Sequence, residues 1–255
     1  MSKKRPLILV TNDDGIQAKG IKSLVEVAEQ FGDVVIVAPD SPQSGMGHAI
    51  TVNNVLRLHD VPFNGHRAFM CSGTPVDCVK LANAEIIKGL PDLLLSGINH
   101  GENSSSNVLY SGTMSAAIEG AMSGVPSIGF SLLDFDPDAD FTASKWAATE
   151  VIKRALTNDL PKNICLNVNI PQLDVEDIKG IRVCRQAKAY WNDSFDKRKD
   201  QFGAPYFWLK GEFNRDDWSE DSDIFALDNG YVSVVPTQFD LTAYHAISEL
   251  NRWKF

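Results

Sequence analysis

The apolar positions of the chain fall into short continuous runs separated by longer amphipathic stretches. "PLILVT" (6–11), "VVIVAP" (34–39), "PDLLLSG" (91–97) and "VPSIGFSL" (125–132) are unbroken runs, the pattern of strands buried on both faces of a parallel sheet. Between them, "IKSLVEVAEQFG" (21–32) places Ile21, Leu24, Val25 and Ala28 at helical spacing, with Gly32 as a stop. "TPVDCVKLANAEIIKG" (74–89) opens with Thr74 as an N-cap and Pro75 at the first helical position, and "TMSAAIEGAMSG" (113–124) predicts a helix closed by Gly124. Strand, helix, strand recurring in this order predicts right-handed crossovers and a doubly wound, mainly parallel, Rossmann-like sheet in three α/β/α layers.

The second half is more mixed. "FTASKWAATEVIKRAL" (141–156) reads as an amphipathic helix, "ICLNVNIP" (164–171) as a strand and "IKGIRVCRQAKAYW" (178–191) as one longer alternating strand. The stretch 192–221 is charged yet rich in aromatics, and predicts a protruding β-hairpin around Gly203, spanning about 190–215. Aromatics on a projecting arm leave apolar area in water unless a second subunit covers them. "YVSVVP" (231–236) and "LTAYHAISELNRWKF" (241–255) predict a last strand and helix. The expectation is a single α/β domain over 1–255, with an active-site core in 1–132 and the remaining core elements, arm and C-terminal tail in 133–255.

At 255 residues and 44% hydrophobic content the chain can bury a substantial core. A formal charge of −9 argues against broad attachment to duplex nucleic acid or an anionic membrane. The basic start gives way to Asn and two Asp before it forms a signal-peptide core, and no run approaches the roughly 20 apolar residues of a membrane helix. Four cysteines, Cys71, Cys78, Cys165 and Cys184, are scattered without a CxxC pair, which predicts reduced thiols and a cytoplasmic location.

In a doubly wound sheet, ligands bind beyond the carboxyl ends of the strands, so the loops that follow strands carry the chemistry. The first, "TNDDG" (11–15), sets Asp13 and Asp14 side by side. Adjacent strand residues point to opposite faces, so the two carboxylates converge only if the chain turns, which Gly15 permits. Their repulsion vanishes if both bind one divalent cation. An acidic N-cap is the competing account; it explains one aspartate but not two after an asparagine, Asn12.

The second loop, "APDSPQSGMGHAIT" (38–51), offers Ser41, Ser44, Gly45 and Gly47, whose backbone N–H groups can face a phosphate; it has no GKS or GKT and is not a Walker loop. Taken alone, a Ser/Gly-rich loop is more often an ordinary turn. The third, "SGINHGENSSSNVLYSGT" (96–113), is far longer than the usual 2–6 residues. It carries Asn99, His100, Asn103 and Asn107 and ends at Ser111, Gly112 and Thr113, where a helix N-terminus holds an anion or the hydroxyls simply cap it. The fourth, "CSGTPVDC" (71–78), is explained by capping. His48 and His100 stand in candidate loops as proton carriers, phosphate contacts or structural residues. Together these are hard oxygen donors, matched to Mg²⁺, Mn²⁺ or Ca²⁺ rather than structural zinc. A divalent ion beside anion-holding N–H groups is what phosphoester hydrolysis requires.

"ILVTNDDGIQAKGI", "VAPDSPQSGMGHAIT", "GTPVDCVKLA", "LLLSGINHGENSSSNVLYSGTMSAAIEGAMSGVPSIGFSL" and "GYVSVVPTQFDLTAY", in that order, resemble the survival protein SurE family of metal-dependent 5′(3′)-nucleotidases. The resemblance implies one divalent metal per subunit, Mg²⁺ or Mn²⁺, held by Asp13, Asp14, Ser44 and Asn99. Asp13 and Asp14 are the catalytic candidates; Asn12, Gly45, Asn99, Ser111, Gly112 and Thr113 are the candidate substrate and phosphate contacts. It further implies hydrolysis of nucleoside 5′-monophosphates, and of 3′-monophosphates, to nucleoside and phosphate. The implied assembly is a homodimer or homotetramer through exchanged C-terminal elements. Two rivals stand beside this reading. An aspartyl-phosphate phosphatase generally presents Asp-x-Asp, which the adjacent aspartates do not match; a non-catalytic metal- and nucleotide-binding sensor would use the same loops.

Overall fold

The computed structural model describes residues 5–253; the first residues of the basic start and the last two of the C-terminal helix reading lie outside them. The elements in order are β1 (Leu7–Thr11), α1 (Lys19–Ala28), β2 (Asp33–Pro39), β3 (Leu58–Asp60), β4 (Arg67–Cys71), α2 (Pro75–Leu81), β5 (Leu93–His100), α3 (Gly112–Met122), β6 (Ser127–Leu132), α4 (Thr142–Thr157), β7 (Ile164–Ile170), β8 (Ile181–Val183), β9 (Tyr190–Lys199), β10 (Pro205–Asn214), α5 (Asp223–Asp228), β11 (Val232–Gln238) and α6 (Tyr244–Leu250). Among the described residues, eleven strands form a nine-stranded mixed sheet, β3-β4-β2-β1-β5-β6-β7-β11-β8, and a separate hairpin, β9-β10. From β4 to β7 every neighbour is parallel; β3 against β4 and β11 against β7 are antiparallel.

The continuous apolar runs explain why these strands sit centrally. Ile8 and Val10 of β1, Ile36 of β2 and Leu95 of β5 face a core shared with Ile21 and Leu24 of α1 and Ala147 and Ile152 of α4. Leu9, Val37 and Leu94, one residue out of phase, face Cys78 and Val79 of α2 and Ala116 of α3. Alternation along each strand therefore feeds two cores, one per face of the sheet. The four cysteines are buried and form no disulfide.

The strand order reverses at β1. The chain runs outward through β2 and β4, then returns to the other side of β1 as β5 and continues outward through β6 and β7. That reversal opens a crevice past the carboxyl ends of β1 and β5, the position at which open α/β sheets bind ligands.

Several elements differ from the sequence reading. β3 and β4 were not expected, since "LHDVPFNGHRAFMC" mixes polar, Pro and Gly positions. The helix from Pro75 passes into a π-helix over Ala82–Ile87, ended by left-handed Lys88. β5 runs on to His100 rather than ending at Ser96. The single long strand expected over 178–191 is instead the short β8, an irregular crossing and the first residues of β9, because the chain leaves the large sheet there for the arm. α5 was also missed. The hairpin itself lies where the sequence placed it.

Candidate active site

β1 delivers Asn12, Asp13 and Asp14 to the crevice. Gly15 follows at φ +93°, left-handed backbone that glycine adopts without strain. The Asn12 side-chain amide donates to the Gly15 carbonyl at 2.9 Å and closes the turn. Asp13 is buried and Asp14 half-buried. The Asp13 carbonyl accepts from the Gln43 N–H at 2.7 Å, and the Ile16 N–H donates to the Pro39 carbonyl at 2.9 Å. The first loop is thereby tied to the second, which carries Ser44 and Gly45, both exposed.

β5 supplies the next donor through a local irregularity. Its register against β6 shifts between Ser96 and Asn99. Gly97 sits at φ +123°, where a Cβ would lie 2.4 Å from the Phe130 carbonyl, so no larger residue fits. Such a bulge re-aims the side chains after it. The Asn99 amide nitrogen donates to the Gly101 carbonyl at 2.8 Å, which fixes the amide and leaves its oxygen as the atom with ligand chemistry. The His100 backbone N–H approaches the Asp14 carboxylate at 3.4 Å.

The third contribution is the start of α3. Ser111 is its N-cap, accepting from the Met114 N–H at 3.0 Å. Gly112 opens the helix against Asp13: a Cβ there would lie 2.6 Å from the Asp13 Cβ and 2.8 Å from its Oδ2. The Thr113 hydroxyl donates to Asp13 Oδ1. The helix thus presents its positive end to the Asp13 carboxylate. The third loop is shorter than expected and carries a 3-10 turn over Ser105–Leu109.

Electrostatically the pair is uncomfortable. Burial, then the charge of Asp14, push the Asp13 carboxyl up to about 6, against the opposing pull of the Thr113 contacts. Burial also raises Asp14, partly offset by the His100 N–H. Among the described residues no lysine or arginine acts on either carboxylate. At the ends of the same two strands, Thr11 Oγ1, Asn12 Oδ1, Ser96 Oγ and His100 Nδ1 are buried polar atoms without a hydrogen-bond partner, and Thr11 and Ser96 are cross-strand neighbours. Orphaned polar groups with two undercompensated acids mark a place prepared for a polar ligand.

The structure brings Asn12, Asp13, Asp14, Asn99, Ser111, Gly112 and Thr113 to one crevice, and the Gln43 contact draws the segment before Ser44 and Gly45 to its edge. Two candidates are otherwise engaged. His48 Nε2 lies 3.1 Å from Glu119 on α3, which also pairs with Lys80. The His100 ring stacks edge-on against Phe141, centroids 5.1 Å apart. Among the described residues no three or more of His, Cys, Asp and Glu converge as a metal centre; the donor set here is two carboxylates with hydroxyl and amide oxygens.

Comparison with known proteins places this geometry. The profile of the survival protein SurE family matches residues 8–193. The chain is 58% identical to the 5′-nucleotidase SurE of Flavobacterium johnsoniae over all of this chain and 99% of that one. Against the 5′-nucleotidase SurE of Bacteroides fragilis the identity is 46%, over the whole of both chains. The crystal structure of the SurE protein from Aquifex aeolicus superposes with a TM-score of 0.85 at 38% identity, covering 97% of this chain and 99% of that one. Matched in sequence over its whole length and in fold over nearly all of it, the chain belongs to the SurE family.

Proposed function

We propose that the protein is a divalent-metal-dependent 5′-nucleotidase, hydrolysing nucleoside 5′-monophosphates to nucleoside and phosphate. The observation that carries this reading is the pairing of two undercompensated carboxylates with a helix N-terminus at the switch point between β1 and β5. The 5′-nucleotidase relatives in Flavobacterium and Bacteroides support it.

The residues fit a hard divalent ion, Mg²⁺ or Mn²⁺. Asp13, Asp14, Ser44 and Asn99 would hold it with oxygen atoms, and the unpartnered Asn12 Oδ1 is consistent with a polar occupant. Such an ion supplies charge to offset growing negative charge on phosphoryl oxygens and acidifies a water. Asp13, fixed by Thr113, would orient the attacking water. Backbone N–H groups at Gly112 and along the Ser44–Gly45 turn take phosphate oxygens, with Asn12 and Asn99 beside them. The Ser111 and Thr113 hydroxyls act mainly as cap and as Asp13 partner, and so position these groups.

Assembly as a homodimer or homotetramer through the arm and C-terminal segment is part of the same proposal. Phe195, Phe207, Trp208 and Leu209 on the arm, and Leu241, Tyr244 and Trp253 near the C-terminus, expose large apolar surface. Among the described residues no helix is long and apolar enough to cross a membrane.

The test is phosphate release from AMP and GMP with Mn²⁺, then with chelator, for the wild-type chain and Asp13→Asn. Wild-type turnover should vanish with chelator, and the variant should lose on the order of 10²–10³-fold with its circular dichroism unchanged. Tight nucleotide binding with no release across a nucleotide panel would instead identify a sensor.

A further inference from the structure

The loop between β5 and α3 is fastened to the base of the arm by a joint that the proposed chemistry does not use. Ser105 stands in the left-handed region, φ +52°, a conformation a non-glycine residue keeps only when its surroundings hold it. Its N–H donates to Asp223 Oδ2 at 2.8 Å. Its hydroxyl oxygen lies 2.9 Å from the Ala187 carbonyl and 3.1 Å from that of Ala189, and accepts the Ala189 N–H at 3.1 Å. Asp223 Oδ1 accepts from the N–H groups of Ala187 at 2.9 Å and Ile224 at 2.8 Å. Ser105 and Asp223 are both fully buried.

The arm springs directly from this joint. β9 starts at Tyr190, and the Trp191 indole N–H donates to Asn107 Oδ1 of the loop at 2.7 Å. At the other root, Arg215, the residue after β10, pairs with Glu102 at 3.0 Å. Both roots therefore grip the segment that leads from Asn99 and Gly101 into the Ser111 cap of α3. A carboxylate is the side chain this joint requires, because both of its oxygens accept backbone N–H groups; an amide satisfies one side only.

We propose that Asp223 and Ser105 are positioning residues for the reaction, a coupling joint through which the seating of the arm sets the placement of loop 101–111 and of the N-terminus of α3. Burial raises the Asp223 carboxyl, a cost its backbone hydrogen bonds partly offset. The kinetic side of the proposal rests on the nucleotidase reading; the structural side does not.

The test uses the full chain and the variants Asp223→Asn, Ser105→Ala and Trp191→Phe, the last removing the indole N–H donor along with part of the ring while keeping an aromatic side chain beside Phe213. In ligand-free hydrogen exchange, Asp223→Asn and Ser105→Ala should accelerate residues 101–111 and 187–191 together by about tenfold, with β1 and β2 unchanged. Trp191→Phe should accelerate 101–111 by a smaller factor. In AMP hydrolysis with Mn²⁺, the first two variants should raise KM about tenfold with kcat changed much less. Faster exchange in the arm with loop 101–111 unchanged would overturn the proposal, as would equal acceleration throughout the sheet. If the wild-type chain releases no phosphate, the nucleotidase reading fails, while the exchange data still decide the joint.

Discussion

Thr113 and Gly112 act on Asp13 through contact and through space. Gly112 lets the first turn of α3 close on the carboxylate, and the Thr113 hydroxyl stabilises its charged form. Burial and Asp14 push the other way and win, leaving Asp13 at about 6. Thr113→Val keeps the shape and removes the donor, so the Asp13 pKa should rise further. A proton and a metal ion compete for the same oxygens. The pH at which Mn²⁺ affinity is half lost should therefore move up by about one unit, read by titration calorimetry across a pH series. The aspartate pair was legible in the sequence because like charges side by side at a strand end demand an explanation. The role of Thr113 was not. Its chemistry was visible as an anion contact, but its partner lies 100 residues earlier in the chain, and nothing local names it. Ser105 escaped for the same reason: its four polar contacts all run to residues 82 or more positions away.

Among the elements, β1, β2, β5 and β6 were legible because a strand buried on both faces must be apolar at every position. β3 and β4 were not, since β3 is a largely exposed edge and its residues obey no such rule. The joined reading of β8 and β9 failed because alternation continues across a point where the chain changes sheets. The N-cap reading at Thr74 holds in full: Asp77 and Thr74 form a reciprocal capping box, and the Asp77 carboxylate also accepts the Thr51 N–H at 3.1 Å. α2 thereby anchors the far end of the second loop. Asp77→Ala removes the cap and this anchor at once. It should cost about 1–3 kcal/mol in urea unfolding and loosen residues 41–51, read as faster hydrogen exchange there.

In the whole molecule, the arm is a ten-residue ladder, Tyr190–Lys199 against Pro205–Asn214, exposed on nearly all of its length. An isolated two-stranded hairpin is marginal in water, so its apolar side chains need cover. Phe207→Ser with Leu209→Ser should shift the protein to a smaller species by light scattering while leaving its thermal unfolding cooperative. Charge sets a second property of the whole. A carboxyl raised from 3.8 to about 6 in the folded state binds its proton more tightly there than in the unfolded chain. Its contribution is fully present below pH 3.8 and is lost as pH rises through 6, a difference of roughly 3 kcal/mol. In chelator, Asp13→Asn should melt higher than wild type at pH 7.5, and the gap should close by pH 4. Mn²⁺ should raise the wild-type melting temperature at pH 7.5 and leave the variant nearly unmoved.

The reversal of strand order at β1 also governs when the pocket can exist during synthesis. Asp13 and Asp14 leave the ribosome first, but β5 must insert beside β1 before Asn99 reaches them, and Thr113 follows later still. A half-made chain therefore carries two neighbouring acids with only the Ser44 loop beside them, and the proposed metal site is completed when segments more than eighty residues apart pair.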